Sequence, residues 1–179
     1  MFTVFSACDA GAWRVTSITA VCGEPLPAAR RVAVDRVEAP PQPSPGWPLA
    51  GVASHARYVE RPERAQLVAR QAGLGRPEAT RAALIPIAKL RAWWEMTQDE
   101  RRRIFEAESR HIAGSLKYLP AVARQLYHCR DLGQPFDFLT WFEFAPEHEA
   151  EFDALLVGLR ASPEWRFVTR EIDIRLSRA

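Results

Sequence analysis

The chain has 179 residues, 47% of them hydrophobic and 26% charged, and a formal net charge of +2. That is the composition of a globular protein one or two small domains long, with room for a core and a buried ligand. It excludes a disordered chain, and no dense basic run with interleaved aromatics suggests a nucleic-acid surface. Cys8, Cys22 and Cys129 stand far apart without a CxxC pair, so neither a disulfide framework nor a zinc site is expected and a reducing compartment is the plain reading.

The opening Met1-Phe-Thr-Val-Phe-Ser-Ala-Cys-Asp9 lacks the basic region and long apolar core of a signal peptide. No later apolar run is long enough to cross a bilayer, so a soluble, cytoplasmic protein is expected. Residues 2 to 7 and 12 to 21 read as strands rich in β-branched residues, joined through Asp9-Ala-Gly11, and another strand is predicted over Arg31 to Val37. Five prolines in the ten residues Ala39 to Pro48 can join neither ladder nor helix and mark an extended loop. A strand is predicted from about Gly51 to Glu60, then a short helix from Pro62 to Gln71 ended by the Gly73–Gly75 region. Gly73-Leu-Gly75 is a fragment of a dinucleotide fingerprint that follows no clear strand, so a turn is the better account.

The second half has a clearer grammar. Ala82 to Lys89 is an apolar strand interrupted by Pro86, and Trp93-Trp94 follows it. Thr97-Gln-Asp-Glu100 is a capping box that opens a helix predicted to run to about Ser115, with Ile104, Ala107, Glu108, His111, Ile112 and Ser115 on one stripe. Pro120 blocks continuation. Ala121 to Cys129 alternates as a strand, with Val122, Arg124, Leu126 and His128 on one face and Ala123, Gln125 and Tyr127 on the other. A strand over Phe136 to Phe144 follows, with Phe138, Thr140, Phe142 and Phe144 on one face. Next come a helix from Pro146 with Phe152, Leu155, Leu156 and Leu159 on its apolar face, and a last strand over Trp165 to Leu176. Strand, helix, strand, strand, helix, strand is the ferredoxin-like order.

Two residues stand out: His111 on an apolar helix stripe, and Arg124 on an apolar strand face. By pattern alone such a histidine is more often a hydrogen-bonded core residue than a ligand. The guanidinium is costly to bury without an anion, and a carboxylate from a neighbouring strand would satisfy it as well as a ligand would. His128 shares the face of Arg124 and is a rival metal ligand; His148 reads as solvated at a helix start, and His55 has no local partner. No GxSxG elbow, HExxH helix or P-loop is present.

Glu108-Ser-Arg-His111, Leu119-Pro, Arg124, Leu126-Tyr-His128 and Phe136-Asp-Phe-Leu-Thr-Trp-Phe-Glu143 together resemble the haem-dependent chlorite dismutases, in particular their small dimeric branch with a truncated first half. The resemblance is strongest from Arg76 to Leu176. It implies an α+β fold of the dimeric α/β-barrel type, in which residues 76–179 form a ferredoxin-like βαββαβ haem-binding half and residues 1–75 a reduced, mostly β half of one compact unit. It implies a homodimer that binds haem b and converts chlorite to chloride and dioxygen, with chlorite and small anions as ligands and neither nucleic acid nor membrane as partner.

By the same resemblance His111 is the proximal ligand of the haem iron. Glu164 accepts from its far nitrogen, and Lys89 ties that glutamate or a haem propionate. Trp93 or Trp94 packs on the haem rim, Thr140 and Phe142 line the distal pocket, and Arg124 is the distal arginine that attracts chlorite and steadies an oxyanion. Taken without the resemblance, Glu164 is a surface carboxylate, Lys89 a solvated strand end, and Phe142 and the tryptophans core. The rival functions are a coprohaem decarboxylase-like or peroxidase-like enzyme and a non-enzymatic haem-binding or sensing dimer; related coprohaem decarboxylases carry other residues in place of Arg124.

Overall fold

The computed structural model describes residues 1–39, 46–54 and 57–179. The strands are β1 (Phe2–Cys8), β2 (Trp13–Cys22), β3 (Arg31–Val37), β4 (Pro48–Ala53), β5 (Arg81–Lys89), β6 (Ala123–His128), β7 (Phe138–Phe144) and β8 (Val168–Arg178). They close into a barrel in the order β1-β3-β2-β8-β5-β7-β6-β4, every pairing antiparallel. The first four strands and the last four therefore follow the same spatial order, fourth-first-third-second. The two sets meet at the β2–β8 and β6–β4 seams. Gly51 makes the second seam possible, since a Cβ there would lie 2.7 Å from that of Tyr127.

Alternation along each strand sends one set of side chains into the barrel, where Phe5, Trp13, Val32, Leu49, Leu84, Trp141 and Ile174 pack together. Trp141 stacks on Phe5 at 5.4 Å and meets Trp13 edge-on at 5.3 Å. The outer face of β5 and β7 is apolar as well: Ala83, Ile85, Phe142 and Phe144 pack on Phe152, Leu155 and Leu156 of a helix spanning Glu149–Arg160. Burying each of the larger of these side chains stabilises the fold by roughly 1.5–3 kcal/mol. Pro86 sits mid-strand and is tolerated because the β5–β8 ladder passes from Leu84↔Ile174 to Ile87↔Glu171 without a pairing at Pro86.

The helices are α1 (Arg61–Arg70), α2 (Arg91–Glu95), α3 (Gln98–Arg102), α4 (His111–Ser115) and α5 (Glu149–Arg160). The predicted capping box opens α3, with the Thr97 N–H donating to Glu100 Oε2 at 2.7 Å. The single helix expected from Thr97 to Ser115 does not form. After α3 the chain runs as a π-helix over Arg103–Glu108, and Arg110 adopts left-handed φ 51, ψ 39 before α4 begins at His111. A π turn holds more residues than an α turn, so the stripe drifts: Ile104 and Ile112 are buried, while Ala107 and Glu108 face solvent.

Other boundaries shift. The strand expected over Gly51 to Glu60 is β4, which ends at Ala53, and Tyr58 takes a left-handed φ of 58° that no strand accommodates. The strand expected from Trp165 is preceded by a 3-10 turn over Pro163–Phe167 and becomes β8 at Val168. The strand expected over Ala121 to Cys129 is the shorter β6. Most of the proline-rich loop, residues 40–45, and His55 lie outside the described residues.

Candidate active site

Between the outer face of β5, β7 and β6 and the helical layer over it lies a cavity of about 350 Å³, in the range of small-molecule sites. Alternation puts Ile85, Ile87 and Lys89 of β5, Arg124 and Leu126 of β6, and Phe138, Thr140 and Phe142 of β7 on its wall. The helical layer contributes Leu67, Trp93, Phe105, His111 and Ile112. His111 and Arg124, on separate elements, thus face one space.

His111 Nδ1 lies 2.8 Å from Glu164 Oε2, and the imidazole stacks on Phe105 with ring centroids 4.2 Å apart. With Nδ1 engaged, Nε2 is the nitrogen left for a ligand. The other oxygen of Glu164 takes a short hydrogen bond from Lys89 Nζ, and that ammonium also sits 3.8 Å above the Trp93 ring. Glu164 is 4% exposed, which overturns the surface-carboxylate reading; the 3-10 turn after α5 carries it inward, and its backbone N–H donates to Ser109 Oγ at 2.9 Å. Burial alone would raise the Glu164 carboxyl, but His111 and Lys89 outweigh it and hold it at about 2, against 4.5 for a free glutamate. Burial pulls Lys89 below the ordinary lysine range, with Glu164 opposing. Lys89 is therefore part of a buried triad, not a solvated strand end.

Across the cavity the Arg124 guanidinium makes no hydrogen bond or ion pair among the described residues; no carboxylate from a neighbouring strand satisfies it. Burial lowers its pKa with nothing to oppose it. Gln71, just past α1, donates to the Arg124 carbonyl oxygen at 2.7 Å and holds the strand there. An imidazole nitrogen and a guanidinium, neither with a partner among the described residues, facing the same apolar space are a donor set that would fit a haem held by the one with an anion beside the other.

Of the two tryptophans, Trp93 is 1% exposed and lines the cavity. Trp94 turns away, stacking on Phe138 at 5.7 Å and donating Nε1 to Asp137 Oδ2 at 3.3 Å. His128 does not line the cavity; its ring packs edge-on against Phe138 at 5.4 Å, and burial with Arg57 nearby lowers its pKa. His148 sits at the start of α5, facing Glu151 at 3.5 Å. The Gly73–Gly75 segment is irregular, bent at Leu74 rather than a hydrogen-bonded turn, with the Gly75 N–H donating to Glu143 Oε2 at 2.5 Å.

Residues 32–179 match the family model described as chlorite dismutase. The chain belongs to the chlorite dismutase family. The dimeric chlorite dismutase of Nitrobacter winogradskyi is 64% identical in its crystal structure, which this chain matches over 99% of both lengths with a TM-score of 0.93. A mutant chlorite dismutase from Candidatus Nitrospira defluvii is 26% identical over 75% of this chain and 55% of that one, with a TM-score of 0.61. The curated chlorite dismutase of Ideonella dechloratans is 33% identical over 89 residues, half of this chain and 29% of that protein, so the match spans less than a third of the relative's length.

Within this chlorite dismutase fold, sequence reading missed Ser109, Gln71 and Glu106. Glu106 accepts from the Ile112 N–H at 2.6 Å and the Ala113 N–H at 3.1 Å. No periodicity marks them, because their partners are backbone groups distant in pattern: the first turn of α4 for Glu106, the 3-10 turn before β8 for Ser109 and β6 for Gln71. An arginine just before a helix start, where an oxygen-bearing cap belongs, is the one hint that the cap comes from elsewhere.

Proposed function

We propose that this chain is a haem b-dependent chlorite dismutase that converts chlorite to chloride and dioxygen. The observation that carries the reading is the asymmetry of the cavity: an imidazole locked by a buried carboxylate on one side, and on the other a guanidinium without an anion among the described residues. His111 would hold the iron through Nε2, and haem, when bound, supplies the redox chemistry. Glu164 accepts the Nδ1 proton, which fixes the tautomer and increases the electron donation of the ring, while Lys89 keeps Glu164 in place and Trp93 packs at the rim. Arg124 draws the chlorite anion in and keeps chlorine oxyanions from escaping, its planar N–H donors making charge-assisted hydrogen bonds to them. Thr140 and Phe142 leave the space beside it small and mostly apolar, where one fixed cation acts strongly.

The same proposal takes each set of four strands as a ferredoxin-like half: residues 1–75 reduced mostly to β structure, residues 76–179 retaining helices in both crossovers and carrying the haem. The shared fourth-first-third-second strand order supports this. The 64% identity to a dimeric enzyme supports a homodimer, and three free cysteines support a reducing, cytoplasmic setting. None of the helices in the described residues is long and apolar enough to cross a membrane.

An oxygen-electrode trace tests the reading. Haem-loaded protein should release dioxygen on addition of chlorite, and Arg124→Ala should slow release by about tenfold or more, the scale of one charge-assisted hydrogen bond to a reacting anion. Haem uptake without oxygen release, together with turnover of peroxide or coprohaem, would move the protein to the peroxidase-like or decarboxylase-like reading. Uptake with no turnover of any of these would leave a haem-binding dimer.

A further inference from the structure

We propose that Glu106 is a positioning residue for His111. This rests on the reading of His111 as the axial ligand, and it concerns what aims the imidazole rather than what it binds. The chain breaks its helix immediately before His111, and Arg110 takes a left-handed conformation that disfavours any non-glycine residue. A helix that starts afresh leaves its first N–H groups without carbonyl partners, and an arginine preceding it has no oxygen to offer them. Glu106 fills that role from inside the π turn. Its carbonyl accepts from the Arg110 N–H at 2.9 Å, and its two carboxylate oxygens accept from Ile112 at 2.6 Å and Ala113 at 3.1 Å.

One residue thereby ties together both sides of the break that carries His111. The residue before it, Phe105, covers the imidazole face at 4.2 Å and 21° between planes. Ser109, inside the break, receives the Glu164 N–H at 2.9 Å. The π turn presents these side chains on the side where His111 emerges, so the ring is held by Phe105 on its face, by Glu164 at Nδ1 and by Glu106 through its backbone. Without Glu106 the left-handed Arg110 loses its compensation, and the first turn of α4 is free to rotate. The His111–Glu164 hydrogen bond then loosens although neither partner has changed.

The test separates aim from stability. Gly114 lies in α4 with open space where a Cβ would stand, so Gly114→Ala should strengthen the short helix without touching the site. Three haem-free proteins are compared by nuclear magnetic resonance at the His111 Nδ1 proton, assigned with His111→Gln: Gly114→Ala, Glu106→Ala/Gly114→Ala and Glu106→Gln/Gly114→Ala. The expected result is a sharp downfield proton in the first, its loss or broadening in the second, and an intermediate signal in the third, which keeps one acceptor oxygen. Haem transfer to apomyoglobin should be several-fold faster from the second than from the first. An unchanged Nδ1 proton in Glu106→Ala/Gly114→Ala would overturn the proposal while leaving the haem reading intact. A sharp proton in Gly114→Ala lost in Glu106→Ala/Gly114→Ala, from proteins that take up no haem, would sustain the positioning role and sink the haem reading instead.

Discussion

The two sides of the cavity treat buried charge in opposite ways. On the His111 side the buried ionisable groups are partnered: Lys89, Glu164 and His111 form a continuous chain, and the backbone around them is fastened by Ser109 and Asp137, whose Oδ2 takes the Lys89 N–H at 2.7 Å. On the other side Arg124 faces the same space with no counter-ion among the described residues. A fold that merely needed stability would pair its arginine or replace it. The difference teaches that the buried charges of one wall are finished within the protein, whereas on the proposed function the charge of the other is completed by what it binds.

Breaking the finished wall should cost most. Lys89→Met leaves the Glu164 carboxylate buried with one partner fewer, and should destabilise the haem-free protein by roughly 3–5 kcal/mol in urea unfolding. Arg124→Leu removes a cation that nothing among the described residues satisfies and should leave stability unchanged or slightly raised. Equal losses in the two variants would erase the contrast.

Acid unfolding sharpens the same point. The folded Glu164 carboxyl lies at about 2 against 4.5 for the free group, so its contribution is fully present above 4.5 and is lost as the pH falls toward 2. A shift of that size is worth on the order of 3 kcal/mol. Glu164→Gln should flatten stability across that window while lowering it at neutral pH; an unaltered acid limb would mean the carboxylate is not held as described.

The smallest effect belongs to α1, which spans the cavity mouth with Leu67 as its one buried residue. Its first turn is held by Arg102, whose guanidinium forks onto Glu63 at 2.6 and 2.8 Å and also donates to the Tyr58 carbonyl. Arg102→Ala should speed amide exchange in α1 while changing global stability by no more than about 1 kcal/mol, as expected of a partly exposed pair. Unchanged exchange in α1 would show that Leu67 alone holds it.

Much of this was legible before any coordinates. Period-two alternation placed Arg124 and Leu126 on the opposite face of β6 from Tyr127, and Phe138, Thr140 and Phe142 on the opposite face of β7 from Trp141, because a strand's pleat leaves its side chains no other choice. The helix bearing His111 was read less well. Its capping box is real, but no rule of spacing announces a π turn, or a left-handed Arg110 followed by N–H groups that donate to the Glu106 carboxylate. Glu164 was placed by resemblance alone, since a glutamate after a proline in an isolated sequence gives no sign of being buried. Which of Trp93 and Trp94 faces the cavity was equally hidden: α2 is only five residues long, too short for a periodic stripe to show.

The central claim is that His111 holds the haem iron. Resonance Raman spectroscopy of the ferrous, haem-loaded protein tests it most directly, by comparing the native chain with His111→Gly before and after addition of imidazole. The account predicts an iron–imidazole stretching band in the native protein, its loss in the variant, and its return when imidazole fills the gap. A band that persists unchanged in His111→Gly would contradict the account and move the iron to another histidine, with His128 the first to examine.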